Sequence, residues 1–283
     1  VAGRRDNPGH RGVKGDDDEL AVPELGMDYC FVRREDEDEV ITIIVIKDRG
    51  SRAIRATRVL QKGAESEQEV DRILECVRSF GHRGKVVLQS DGEPAILALK
   101  EAIARKLPEG TNSVESAATE SESNGSIENG VKRMKGMMRV HLLALERKVG
   151  GRLPSSHPIL AWLIEHTSDV ITKNLQCADC RTANERLYGK NVHEEGLEFG
   201  ERVQWCKRRA QDTNVVLDAR WADGIWLGRR WGTCHHRISV GREAFEVRAV
   251  QRRPAEERWS LPSLEAVLAL PWCNPAPEEG EAV

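Results

Sequence analysis

No apolar run in this 283-residue sequence approaches the roughly 20 residues that a membrane-spanning helix needs. The start, Val1-Ala2-Gly3-Arg4-Arg5, leads into polar sequence rather than into the apolar centre of a signal peptide. We therefore expect a cytosolic or nuclear protein without a membrane partner. A first residue of Val is compatible with a piece cut from a longer polyprotein.

Several motifs of common site types are also missing. The seven cysteines are an odd number without framework spacing, which argues for reduced thiols in a reducing compartment. Cys177 and Cys180 have zinc-finger spacing, but no second pair follows at the usual distance. The sequence contains no phosphate-binding loop, no dinucleotide-binding fingerprint and no Gly-x-Ser-x-Gly motif.

The composition suits a globular protein, with 39% hydrophobic and 31% charged residues, and the length suggests two folded units plus loose ends. The net charge of -3 conceals an asymmetry. Residues 1–128 carry 19 basic and 26 acidic side chains, residues 129–260 carry 24 and 16, and the remainder adds four acids. The basic stretch is a candidate for holding a phosphate backbone, although a solvated surface explains it almost equally well.

Three strand-like segments follow a leader that is rich in Gly, Arg and Asp and lacks periodicity. They cover 27–32, 40–46 and 53–60 and are rich in β-branched residues. The linkers 33–39 and 47–51 are short enough to join antiparallel neighbours. The pattern predicts a three-stranded meander.

Helical and strand patterns then alternate. Apolar residues at helical spacing predict a helix over 66–80. A buried strand follows at 85–89, and a second helix is predicted over 93–107. A fourth strand reached through a helix implies a parallel crossover.

The middle of the chain is predicted to be helical after one loop. Residues 108–125 are rich in Gly, Ser, Thr and Asn, so we expect a mobile loop there, with a short strand at 112–117. A long helix is expected from about Ser126 to Val149, followed by helices over 155–175 and 181–188.

A second unit begins near Phe199, where four or five short strands predict a small barrel. The end of the chain is rich in Pro and Glu and is typical of a linker or tail. We therefore divide the chain into a disordered leader (1–22), an α/β core (23–175), a helical linker (176–198), a small β-barrel (199–255) and a tail (256–283).

Three acidic residues on neighbouring elements are candidates for a metal site. Asp28 lies within an apolar strand, where a charged group is disfavoured; Asp91 follows directly after a strand; and Glu128 lies near the start of the long helix. Three such acids can converge on Mg²⁺, which prefers oxygen ligands, and two ions would clamp the attacking and leaving oxygens of a phosphoryl transfer. Individually, each has a structural alternative: a satisfied buried acid, a turn or N-cap residue and a solvated helix acid.

The order and spacing of these acids resemble a known family. Asp91 follows Asp28 by 63 positions and Glu128 follows by 37 more. Together with the local sequences 88–94 (Leu-Gln-Ser-Asp-Gly-Glu-Pro) and 123–128 (Ser-Asn-Gly-Ser-Ile-Glu), this resembles the Asp, Asp, Glu core of retroviral and retrotransposon integrases.

The resemblance extends beyond the core and covers about residues 24–255. Residues 181–190 and 199–203 are similar to the copia-type stretch that joins the core to a C-terminal domain, and 224–228 and 247–253 resemble its barrel strands. The resemblance implies an α/β fold: a ribonuclease H-like core with a five-stranded mixed sheet and flanking helices, followed by a small SH3-like β-barrel.

The resemblance also implies an activity, DNA 3′-end processing followed by strand transfer. Asp28, Asp91 and Glu128 would be both the catalytic residues and the ligands of Mg²⁺ or Mn²⁺, with two ions expected. The implied partners are element ends, target DNA and further copies of the chain. The implied location is the nucleus, after assembly in the cytoplasm.

Basic residues are candidates for holding the DNA. Lys132, Arg133, Lys135 and Arg139 lie one to three turns beyond Glu128 on the long helix. Further candidates are Asn124, within the family's Asn-Gly-x-x-Glu segment, and the cluster Lys207, Arg208 and Arg209 after the first barrel strand. A solvated helix face and a solvated turn are the alternatives.

Two departures from the family pattern keep rival functions open. Thr119-Glu120-Ser121-Glu122 stands where the family often has His-Ser-Pro, and Asn129 follows the third acid where Arg is frequent. One rival is a ribonuclease H-like nuclease that cleaves without joining. The other is a domesticated, inactive copy that binds DNA or acts as a scaffold.

Overall fold

The computed structural model describes residues 22–82, 84–107, 112–115, 121–189, 196–207, 219–233 and 235–275, and only the backbone of 112–115 and 121–124. Apart from Val22, the expected leader lies outside these residues. No helix in the described ranges is both long and apolar enough to cross a bilayer.

The first sheet is mixed and has five strands in the spatial order β3-β2-β1-β4-β5. The strands β1 to β3 form the expected antiparallel meander, whereas β4 and β5 add to it in parallel. The strands are β1 (Glu24–Val32), β2 (Ile41–Asp48), β3 (Ile54–Val59), β4 (Val87–Ser90) and β5 (Asn112–Glu115).

In the described ranges six α-helices accompany this sheet and the second one. They are α1 (Glu67–Arg78), α2 (Pro94–Lys106), α3 (Ser121–Val149), α4 (Ile159–Asn174), α5 (Ala183–Tyr188) and α6 (Leu261–Glu265). Helix α1 is capped by Ser66, whose side chain accepts from the Glu69 N–H, and α5 begins with a capping box between Thr182 and Glu185.

The two faces of the first sheet are buried by different helices. Because side chains alternate along a strand, Met27 of β1 and Ile46 of β2 face the core formed with α1 and α2. Cys30 and Ile43 face the opposite core, formed with α3 and α4. The alternation therefore places Asp28 on the face that α3 covers.

The second sheet is antiparallel, in the order β10-β6-β7-β8-β9. Its strands are β6 (Arg202–Cys206), β7 (Trp221–Arg229), β8 (His236–Val240), β9 (Glu243–Val247) and β10 (Val250–Arg252). Trp226 faces a small core of its own, whereas its neighbours Ile225 and Leu227 join the core around α4. In the described part of the chain β9 and β10 do not pair, so closure into an SH3-like barrel stays a prediction.

Three expected elements had the largest boundary errors. The last strand, expected over 245–250, is divided between β9 and β10. Helix α4 begins at Ile159 rather than at 155, because a residue before proline disfavours the α conformation and Pro158 occupies the N-cap. Helix α3 begins at Ser121, five residues before the expected start, since extending an established helix costs little per residue.

The expected tail is partly folded. After a 3₁₀ turn at Ala255–Glu257, Leu264, Val267 and Ala269 are buried against the core around α4. The Trp162 indole N–H donates to the Ala269 carbonyl at 2.8 Å. The expectation of a tail rested on the Pro and Glu content of this segment, which overlooked a short series of apolar residues that is sufficient for packing on the core.

Candidate active site

Asp28 and Asp91 lie at the same level of the first sheet. Strands β1 and β4 are parallel, with Gly26 opposite Gln89. Asp28 lies two residues beyond Gly26 and is still within β1. Asp91 lies two residues beyond Gln89 and directly follows β4. The register thus brings Asp28 and Asp91 to the same level, where β4 ends, and sites of open α/β sheets form beyond the carboxyl ends of parallel strands.

Their environments differ. The Asp28 side chain is half-buried, whereas Asp91 is exposed. Asp91 Oδ1 accepts from the Glu93 backbone N–H at 3.4 Å, so Asp91 also stabilises the turn that leads into α2.

Glu128 reaches the same region because α3 docks closely on β1. A Cβ added at Gly26 would lie 3.3 Å from the Ile127 Cβ, so the absence of a side chain at Gly26 allows this approach. The Lys47 ammonium donates to the Ser126 carbonyl at 2.8 Å. Glu128 is exposed and lies one residue beyond the buried Ile127, at the edge of this contact.

The electrostatics show that the acids influence one another. Several effects together raise the pKa of Asp28 to about 6. Burial is the largest cause, followed by the negative charge of Asp91; Glu93 and Glu128 contribute smaller increases, and a hydrogen bond from the backbone N–H of Tyr29 opposes them. Asp28 therefore lies within the field of three other carboxylates.

One of these, Glu93, was missed as a site residue. It forms an ion pair with Lys62, whose ammonium lies 5.2 Å from the Tyr29 ring centroid and 4.6 Å from that of Phe31. The available signal was the position of Glu93 two residues after Asp91 in the same post-strand turn. Nothing in the local sequence marks Lys62, which only the fold brings to this turn.

The carboxylates suit a divalent cation in chemistry but not yet in geometry. Carboxylates supply the oxygen ligands that Mg²⁺ and Mn²⁺ prefer, and a bound cation would relieve the electrostatic repulsion at Asp28. However, no three His, Cys, Asp or Glu side chains in the described ranges are close enough together to hold a metal ion. A shared ion would require Asp28, Asp91 and Glu128 to move together.

The basic residues of α3 divide between two faces. Lys132, Lys135 and Arg139 follow Glu128 by 4, 7 and 11 positions and therefore share its side of the helix. Arg133 lies on another side of the helix, toward Lys47. The pKa of Lys47 is lowered to about 8, mainly by burial and secondly by the positive charge of Arg133.

A groove continues from this face. It has a volume of about 400 Å³ and is lined by Lys135, Arg139, Arg33 and Phe31, among others. Phe31 is 46% exposed there. Arginines, a lysine and an exposed aromatic ring are side chains that contact nucleic-acid backbones and bases.

The remaining predicted residues lie at the second sheet, outside the described residues, or in the part of α3 described by its backbone alone. Lys207 is exposed at the end of β6, where its backbone N–H donates to the Arg220 carbonyl at 2.8 Å. Arg208 and Arg209 lie outside the described residues, and for Asn124 only the backbone, within α3, is described.

Comparisons with known proteins give structural likenesses only. No protein-family model matches the chain, and no curated protein matches it. The HTLV-2 integrase catalytic core domain in complex with magnesium is similar, with 14% identity and a TM-score of 0.43, covering 57% of this chain and 93% of that one.

Two further solved structures are similar at the same level. The BIV integrase catalytic core domain has 14% identity and a TM-score of 0.41, covering 59% of this chain and 93% of that one. A chain of the simian T-cell lymphotropic virus intasome in complex with PP2A regulatory subunit B56 gamma has 13% identity and a TM-score of 0.47, covering 88% and 85%. At these identities and TM-scores the likenesses assign neither a family nor an activity to this chain.

Proposed function

We propose that this chain is a retrotransposon-type integrase, a metal-dependent transferase that trims DNA 3′ ends and joins them to target DNA. The observation that carries the proposal is the electrostatic effect of the neighbouring acids on Asp28. Acids from β1, from the turn after β4 and from α3 raise the pKa of one half-buried carboxyl. A mixed sheet in the order β3-β2-β1-β4-β5, covered by helices on both faces, supports the ribonuclease H-like core.

Asp28, Asp91 and Glu128 would hold Mg²⁺ or Mn²⁺, with two ions expected. When bound, such ions supply charge neutralisation at the phosphate and activation of the attacking oxygen. The protein's own part would be positioning: the parallel pairing of β1 with β4 supports Asp28 and Asp91, and the close approach of Ile127 to Gly26 supports the helix that carries Glu128.

The DNA would lie along α3. Lys132, Lys135 and Arg139 share the side of Glu128 and can neutralise backbone phosphates without reading sequence. Arg133 is less suited, because it lies toward Lys47. The second sheet, with Lys207, Arg208 and Arg209, is proposed as a further DNA contact, and the chain is proposed to act in the nucleus as a homo-oligomer.

A product assay tests this function. Labelled duplex ends and an unlabelled target are incubated with the whole chain and Mn²⁺, and trimmed and joined products are separated on a gel. We expect joined product from the unchanged chain and at least a hundredfold less from Asp91→Asn. The matched control is Asp38→Asn, which alters an exposed acid outside the site. Equal joining by Asp91→Asn would contradict the assignment, and trimming without joining would indicate a nuclease.

A second function is favoured by one observation: the acids do not form a group that could hold a metal ion among the described residues. Under this alternative the chain is an inactive copy that binds DNA through α3. It predicts that DNA binding, measured by fluorescence anisotropy, is weakened by Lys135→Gln, whereas no products form with Mg²⁺ or Mn²⁺.

A further inference from the structure

A second pocket lies away from the four acids. It has a volume of about 440 Å³ and lies between the last turns of α1, the loop after β7 and strand β8. We call it the arginine pocket and define it by five of its lining residues, which are Arg72, Arg78, Arg230, Trp231 and Arg237. It shares no residue with the candidate active site.

Positive charge exceeds negative charge in the arginine pocket, because four arginines but only two glutamates line it. Three of these arginines have a carboxylate within ion-pair distance: Arg237 Nη1 lies 2.5 Å from Glu165, Arg230 Nη1 lies 2.9 Å from Glu246, and Arg72 Nη2 lies 3.4 Å from Glu69. Among the described residues no carboxylate pairs with Arg78, which donates a hydrogen bond to the Lys106 carbonyl at 3.4 Å.

A fifth arginine lies directly behind the pocket wall. Arg55 of β3 is 0% exposed, and among the described residues its guanidinium donates to neutral oxygens, including Ser79 Oγ at 3.0 Å. Its guanidinium lies 5.2 Å from the Trp231 ring and 5.7 Å from the Phe80 ring. In the part of the chain that the structure describes, Arg55 has no ion pair. A buried cation without a counter-charge is unfavourable, so an anion in front of it would stabilise the site.

Two residues that line the pocket each have a buried donor atom without a hydrogen-bond partner in the described ranges. These atoms are Arg72 Nε and the indole Nε1 of Trp231. Both groups are donors only, so what complements them is an acceptor. Buried polar groups in proteins are almost always paired, and arginines pair best with the oxygens of phosphate or carboxylate.

We propose that the arginine pocket binds a compact phosphate-bearing small molecule, whose phosphate oxygens accept from Arg72, Arg78 and the Trp231 indole N–H. The volume lies in the usual range for small-ligand pockets, roughly 300–1,000 Å³. A small ligand is favoured over a DNA backbone because the unpaired donor atoms are buried in the wall, whereas a duplex reaches exposed side chains.

Calorimetric titration of the whole chain with inorganic pyrophosphate tests the proposal, with sodium chloride of equal ionic strength as the reference. Two variants lower the affinity: Trp231→Phe removes the indole N–H but keeps a ring against Arg55, and Arg78→Gln removes an exposed charge. The matched control is Arg105→Gln, since Arg105 lies in the last turn of α2 as Arg78 does in α1. We expect one saturable site, with Kd raised about tenfold by each pocket variant, equivalent to about 1.4 kcal/mol, and unchanged in the control.

Each other result overturns part of the proposal. Absent or unsaturable binding, or equal weakening by Arg105→Gln, would show that the arginines attract anions by non-specific electrostatics and do not form a defined binding site. A duplex oligonucleotide added in a competition arm should leave pyrophosphate bound. Displacement by the duplex would overturn the small-molecule assignment and indicate that the pocket binds a DNA backbone phosphate.

Discussion

Asp28 carries its negative charge at a position where burial and three neighbouring acids all disfavour it. Its pKa is raised to about 6, whereas an unfolded chain has an aspartate pKa near 3.8. A carboxyl whose pKa is higher in the folded state lowers stability above that pKa, because ionisation then costs more in the folded protein. The loss of stability is complete above about pH 6 and disappears below the unfolded pKa.

Replacing Asp28 by Asn should therefore stabilise the fold at pH 7. We expect the free energy of unfolding to rise by roughly 1–2 kcal/mol, a value reduced for the partial exposure of the carboxyl. The gain should vanish near pH 3, below the unfolded pKa, where Asp28 is protonated in both the folded and the unfolded protein. Urea unfolding of both proteins at the two pH values measures this.

The exposed Asp38 supplies the control, since Asp38→Asn should change stability little at either pH. A gain for Asp28→Asn that is independent of pH, or a loss at pH 7, would mean that the four acids do not interact as described.

The sequence predicted the individual acids better than their surroundings. Asp28 was detectable because a charged residue interrupts an apolar strand, and Asp91 because it follows one. Lys62 was not detectable, since its partner Glu93 is 31 positions away and only the fold joins them. Local patterns predict which residues are unusual, while ion pairs between distant segments depend on tertiary packing.

Helix α3 connects the site to the rest of the fold, and its glycines differ in what surrounds them. A Cβ added at Gly136 would meet nothing within 4 Å, whereas one added at Gly130 would lie 3.3 Å from the Lys47 Cδ. Lys47 cannot move away freely, because its ammonium is held by the Ser126 carbonyl.

Alanine at these two positions should give different results. Gly136→Ala should stabilise the protein by about 0.5–1 kcal/mol through helix propensity alone. Gly130→Ala should give a smaller gain or a loss, because the new methyl group crowds Lys47. Thermal unfolding of both variants tests the docking of α3, and an equal gain at both positions would show that the helix does not press on β2 there.

Elements with a strong apolar period were predictable, and their ends were not. Strands β1 to β4 and helix α1 follow directly from alternation and helical spacing. The start of α4 depends on Pro158, and the start of α3 depends on helix extension beyond Ser126, where composition favours a loop. Helix ends are decided by a few backbone groups, whereas the apolar period reflects the whole buried face.

At the scale of the whole molecule, the C-terminal segment joins the two units. Helix α6 packs on the core that contains α3, α4 and part of β7. Leu264 is 0% exposed there, and Leu268, four residues later, is 46% exposed. The segment thus belongs to the fold rather than to a tail.

Truncating Leu264 should be costly and truncating Leu268 should not. We expect Leu264→Ala to lower the free energy of unfolding by roughly 2–5 kcal/mol, since it leaves a cavity in the shared core. Leu268→Ala, the matched control, should cost about 0.5 kcal/mol or less. Similar values for the two variants in urea unfolding would indicate that residues 261–269 are a tail that does not pack on the core.

Binding of Mn²⁺ tests the central claim most directly, because the claim is that Asp28, Asp91 and Glu128 act as one cation site. In calorimetric titrations of the whole chain, the affinity for Mn²⁺ should rise from pH 5 to pH 7 as Asp28 loses its proton. Asp28→Asn should abolish both the tight binding and this pH dependence, and Asp38→Asn should preserve them. Binding that is equally strong in Asp28→Asn, or absent from the unchanged chain at pH 7, would contradict the account.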